Sequence, residues 1–162
     1  DGMAFPSSNL LDVPYYPQAD DGYCLAACVQ MVLAYLGFSR TQDRLARKLD
    51  TRPPLGAPAS NVTRLRSSVL DVTFTSGDLG DLQSHLARGN PPIVFVQASE
   101  FPHWRDRVSQ HAVVVVGIDG QFVHILDPAA DATLIPISIG DFLLAWSELG
   151  YIYALLVRRP SR

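Results

Sequence analysis

Cys24 follows Asp20-Asp21-Gly22-Tyr23 and stands at the head of a strongly apolar run, Tyr23–Leu36. If that run is a helix, its N-terminus stabilises negative charge and lowers the pKa of a thiol placed there, and the thiolate is the nucleophilic form. The plainer reading, a small hydrophobe of the core, fits the position equally well. Cys28 lies one turn further in, gains nothing from the helix end, and reads as core. Two thiols stacked along one helix are badly placed for a bridge, and alone they make neither a disulfide framework nor a zinc site.

A nucleophilic thiol needs a base, and four histidines compete for that role. His85 belongs to a polar helix face, and His103 lies in the loop Glu100–Asp106. His124 alternates with Phe122 and Ile125 inside a strand. His111 immediately precedes the run Ala112–Val116, so it projects from the mouth of a buried strand and is the best-positioned base of the four. Asp127 ends the next strand, before Pro128. Antiparallel return of the chain through the turn signal Ile118–Gln121 brings it near His111, where it could orient the imidazole. Gln18, six residues before Cys24, could donate its side-chain amide to a developing oxyanion, together with the Cys24 N–H.

The elements that must hold these groups are legible as periodicities. Asp20, Asp21 and Gly22 offer capping chemistry for a helix over Tyr23–Leu36, and Gly37 closes it. Further helices are expected at about Thr41–Leu49, Asn61–Val69, Asp78–Arg88 and Ile139–Leu149. Strands are expected at Val72–Thr75, Ile93–Val96, Ala112–Val116, Phe122–Leu126 and Tyr151–Val157. Helices first and strands later describe an α+β fold, with a helical half packed on an antiparallel sheet.

Composition narrows the field. The chain has 162 residues, 48% of them hydrophobic and 18% charged, and a net charge of −3. That suits one domain over residues 1–162 with its core at about 11–157, and gives no electrostatic case for nucleic acid. No apolar stretch approaches the roughly 20 residues of a membrane span, and no signal peptide is visible, so a cytoplasmic location is expected. Met3 could be a native start, or the chain could be part of a longer protein. No glycine loop cradles phosphate. His103, Asp106 and His111 have no spacing that would fix a metal, and no cofactor is called for. Asn61-Val62-Thr63 as a glycosylation acceptor, Arg44–Lys48 as a solvated helix face, and Trp104 and Trp146 as packing residues need no special role. Trp104 could wall a cleft near His111.

The order Gln, Cys, His, Asp, with Cys opening a central helix and His opening a strand, resembles the papain-like cysteine peptidases. More narrowly, QADDGYCLAACVQMVLAYLG followed by HAVVVVGIDGQFVHILDPA is similar to the bacteriocin-processing peptidase family. Its members place a glutamine six residues before the nucleophile and an Asp-Pro sixteen residues after the histidine, as here. They often carry Asp-Cys-Gly where this chain has Tyr23-Cys24-Leu25. The resemblance implies a papain-like fold and a cysteine peptidase that cuts peptide bonds through a thioester, with Cys24, His111 and Asp127 catalytic and Gln18 in the oxyanion hole. A peptide or protein is then the expected partner, and no metal or organic cofactor is implied. The alternatives are an amidase or transamidase acting on a non-peptide or isopeptide bond, or a catalytically silent peptide-binding module of the same fold.

Overall fold

The computed structural model describes residues 10–104, 109–131 and 133–161. The apolar run after Gly22 forms helix α1, Cys24–Tyr35, and Gly37 closes it at φ 93°, a backbone conformation that suits glycine. Helix α2, Gln42–Lys48, is capped by the Thr41 side chain, which accepts from the Arg44 N–H. A 3-10 turn at Ala59–Leu65 replaces the helix expected at Asn61–Val69. Strand β1, Leu70–Ser76, follows, and then helix α3, Leu79–Ala87, opened by a reciprocal capping box between Asp78 and Asp81.

Strands β2 (Ile93–Gln97), β3 (Gln110–Ile118) and β4 (Phe122–Leu126) come next. The short strand β5, Ile135–Ser138, went unforeseen because it contains Pro136. It lies at the sheet edge, where a proline costs no ladder bond. Helix α4 (Ile139–Ser147) and strand β6 (Ile152–Arg158) complete the order.

Among the described residues the six strands form one sheet, ordered β1-β6-β2-β3-β4-β5, with every neighbouring pair antiparallel. Alternate residues of the sheet feed two separate cores. One packs Val72, Phe95, Ala112 and Val114 against α1 and α2; the other packs Val94, Val113, Val115 and Ile125 against Leu82 of α3 and Phe142 and Trp146 of α4. The helices therefore cover both faces. α1 is buried almost all round, and its one long polar residue, Gln30, accepts from Gln42 Nε2 at 2.9 Å.

Two local features aim the chain at one spot. In the β3–β4 hairpin, Ile118 faces Val123 and Gly117 faces His124, but Val115 faces Ile125, so Val116 is an extra residue, a β-bulge. The N-terminal segment straps this hairpin. The Leu11 N–H donates to the Val116 carbonyl at 2.9 Å, the Tyr15 hydroxyl lies 3.0 Å from the Asp127 carbonyl, and the Gln18 N–H donates to the Pro128 carbonyl at 2.9 Å. Gly117 leaves room for Leu10, whose side chain would collide with any Cβ there.

Candidate active site

The first turn of α1 differs from expectation. Its N-cap is Tyr23, which makes no side-chain capping bond. Asp20, Asp21 and Gly22 instead fold into their own turn, with the Tyr23 N–H donating to the Asp20 carbonyl and Gly22 at φ 85°. Gly56 packs so closely on Gly22 that a Cβ there would lie 2.8 Å from its nitrogen. The turn consumes the capping groups, and the leading N–H groups of α1 stay available to an anion.

Cys24 sits on that uncapped end. Burial pushes its thiol pKa up. The hydrogen bond and charge of His111, with the N–H groups of Ala112 and Leu25, more than offset this and leave it below that of an ordinary thiol. Cys28, fully buried, lies 3.3 Å from the Ala112 carbonyl through its sulfur, and burial drives its pKa well above the usual value. The two thiols, one turn apart, are thus chemically opposite. Leu25 is 3% exposed and packs into the core beneath the cleft.

His111 is 6% exposed, and its Nε2 lies 2.6 Å from Asp127 Oδ1. That leaves Nδ1 as the ring nitrogen able to serve the thiol. Burial alone would lower the imidazole pKa, but the bonds to Asp127 and Cys24 raise it to about 9. Asp127 is completely buried. Burial would favour its neutral form, yet the donors His103, His111 and Trp104 hold it well below the usual carboxylate range. A thiolate–imidazolium–carboxylate chain is the charge state these surroundings favour.

Gln18 lines the same cleft as Cys24 and His111, a cavity of about 600 Å³ whose apolar side includes Phe95, Leu149 and Ile152. Its Nε2 donates to the Asp20 carbonyl at 3.2 Å, and its buried Oε1 has no partner. One N–H of the amide therefore remains unused. The four residues singled out from sequence, Gln18, Cys24, His111 and Asp127, converge here. The other histidines do not join the thiol: His85 Nε2 meets the Tyr153 hydroxyl at 2.9 Å, and His124 Nε2 meets Asp119 Oδ2 at 2.7 Å.

His103 and Gln42 reach the site without having been expected there, and Trp104, expected only as a wall near His111, bonds the carboxylate behind that ring. His103 Nε2 and Trp104 Nε1 both bond Asp127 Oδ2, at 2.8 Å and 2.7 Å. Gln42, at the start of α2, accepts from the Ala19 N–H at 2.7 Å and donates to the Pro17 carbonyl at 3.1 Å, so it brackets Gln18. The adjacency of His103 and Trp104 in one short loop was the available signal. Asp106, weighed with His103 and His111 as a metal ligand, lies outside the described residues. Among the described residues no group of three metal-binding side chains assembles.

A helix carrying the cysteine and an antiparallel sheet carrying the histidine define the papain-like cysteine peptidase fold. Residues 10–154 match the Peptidase C39-like family, and the chain belongs to that family. No curated protein sequence matches it. Among solved structures it is similar to a protein from Bacillus anthracis described as C39-like, at 18% identity and TM-score 0.76, covering 94% of this chain and 98% of that one. It is also similar to the peptidase domain of Streptococcus ComA, a bifunctional ABC transporter involved in quorum sensing, at 21% identity and TM-score 0.72, covering 89% and 97%. A third likeness is to the double-glycine motif protease of an AMS/PCAT transporter, solved with its leader peptide, at 21% identity and TM-score 0.67, covering 97% and 98%. At these identities the likeness is one of fold. No helix among the described residues is long and apolar enough to cross a membrane.

Proposed function

We propose that this chain is a cysteine peptidase that hydrolyses peptide bonds with Cys24 as nucleophile, His111 as acid and base, and Asp127 as the group that orients the imidazole. The observation that carries the reading is the continuous chain from the Cys24 thiol through the His111 ring to the buried Asp127 carboxylate. With the proton held on His111, the Cys24 thiolate attacks the carbonyl carbon of the scissile bond. The resulting oxyanion accepts hydrogen bonds from the Gln18 side-chain amide and the Cys24 N–H. Collapse breaks the C–N bond, and His111 gives its proton to the departing amine, leaving a thioester on Cys24. Water, deprotonated by His111, attacks the thioester and releases the carboxylic acid. The thiolate and protonated imidazole are thereby restored. Asp127 stays ionised throughout, and no cofactor enters the cycle.

The substrate is a peptide or an extended segment of a protein. Incubating the chain with a diverse peptide mixture and reading the products by mass spectrometry tests the proposal. Cleavage that disappears in Cys24→Ala is the expected result. A protein that binds peptides from the mixture and cuts none would be a binding module. One that opens only side-chain amides or isopeptide bonds would be an amidase or transamidase.

A further inference from the structure

Among the described residues the Asp127 carboxylate accepts four N–H groups, and only one belongs to His111. The Ala129 N–H joins His111 on Oδ1, at 3.0 Å and 2.6 Å. Oδ2 is occupied by His103 and Trp104 alone among the described residues. We propose that His103, together with Trp104, is a positioning residue for this site: the pair clamps Asp127 Oδ2 so that Oδ1 stays on the His111 ring. This inference rests on reading Cys24, His111 and Asp127 as a catalytic triad.

A carboxylate turns about its last torsion over a broad range, so one hydrogen bond on one oxygen does not fix it. A fully buried oxygen with no donor is also costly and would turn to seek one. The donors of Ala129 and His111 are the nearest available, and their capture by the wrong oxygen would loosen His111. Two donors from consecutive residues prevent this. His103 and Trp104 lie in one 3-10 turn, Pro102–Trp104, which lets both ring N–H groups reach the same atom. The turn itself is anchored. Phe101 is completely buried, its ring stacks on that of His103 at 5.6 Å and 21°, and its carbonyl accepts from the Trp104 N–H at 3.0 Å. His103 donates through Nε2–H in this tautomer and also when protonated, so the bond survives either charge state. The arrangement extends the hydrogen-bond chain by one step beyond the carboxylate, to a residue that does not line the cleft.

Iodoacetamide labelling of Cys24, followed across pH by mass spectrometry, reads the clamp without a known substrate. His103→Leu and Trp104→Phe should each shift the labelling midpoint upward by about one pH unit, which is about tenfold slower labelling at pH 6. His103→Gln keeps an N–H donor and should restore the wild-type midpoint, which a purely space-filling role for the ring would not predict. Fast wild-type labelling that His103→Leu leaves unchanged, or a His103→Gln variant as slow as His103→Leu, overturns the clamp alone. Wild-type labelling at pH 6 no faster than that of a small free thiol overturns the triad reading and the clamp with it. Should His103→Leu fail to fold, Trp104→Phe and His103→Gln decide the question by the same midpoint.

Discussion

Two histidine–carboxylate pairs flank the β3–β4 hairpin, His111 with Asp127 at 2.6 Å and His124 with Asp119 at 2.7 Å. The bonds are nearly the same length and join the same residue types, yet their surroundings differ. Asp119 sits partly exposed in the hairpin turn, where His124 and the N–H groups of Gln121 and Phe122 hold its pKa at about 2. Its charge faces water and does no more than fasten the turn. Asp127 is sealed from solvent, bonded on both oxygens, and its histidine faces a thiol. Burial makes the second pair consequential, because a charge that water cannot screen acts strongly on its neighbour. A hydrogen-bond length alone would not tell the two apart.

The sharpest way to break this comparison is to remove what only one pair serves. Cys24→Ala should abolish peptide cleavage, a loss on the order of 10⁴-fold or more, measured as product formed under saturating peptide. Asp127→Ala should come next, lowering turnover by about 10²- to 10³-fold, since it removes the orientation of His111 and keeps the nucleophile. It also strands four donors, so a lower melting temperature should accompany the kinetic loss. In thiol labelling near pH 6, Cys24 should react far ahead of Cys28, and His111→Ala should slow Cys24 by roughly tenfold or more. Asp119→Ala should give the smallest effect, with turnover within about twofold of wild type. Equal losses at Asp119 and Asp127 would erase the distinction between the pairs.

pH dependence sharpens the same contrast. The folded pKa of His111, about 9, lies above that of a free imidazole, roughly 6.5. Its protonated form therefore stabilises the fold fully below about pH 6.5, and that contribution fades as pH climbs through about 9. Turnover needs the same proton for the leaving amine, so its alkaline limb should fall near pH 9. A limb near 6.5 would show that Asp127 does not hold the ring. Asp127 works in the opposite direction. Its pKa is depressed, so its contribution is present above the usual carboxylate range and is lost only in strong acid.

What the sequence disclosed and what it withheld follow from the range of the interactions involved. The β-branched runs at Ile93–Val96 and Ala112–Val116 announced β2 and β3, and Gly37 announced the end of α1, because these are local preferences. β5 stayed hidden because Pro136 masks a short edge strand, and Asp20 looked like a helix cap because only the packing of Gly56 on Gly22 diverts it. The order of Gln18, Cys24, His111 and Asp127 was readable since helix end, strand mouth and hairpin return each follow local rules. The roles of His103 and Gln42, and the bond of Trp104 to Asp127 as distinct from its place near His111, were not, because their partners lie across the fold and no local pattern encodes them. Gly117, a glycine inside a strand, was an unused sign of the bulge beside it.

That bulge gives a rule of parity. Towards the hairpin tip, facing partners such as Gly117 and His124 are an odd number of positions apart. Past Val116, partners such as Val114 and Leu126 are an even number apart. His111 and Asp127 belong to the even series, so in an unbulged hairpin of the same numbering they would point to opposite sides of the sheet. Residues added in pairs, one to each strand, lengthen the hairpin and keep the two groups together. A single added residue must be taken up by a bulge or by the turn. Relatives whose hairpin is regular should therefore separate these two residues by an odd count, which makes the presence of the bulge countable from a bare sequence.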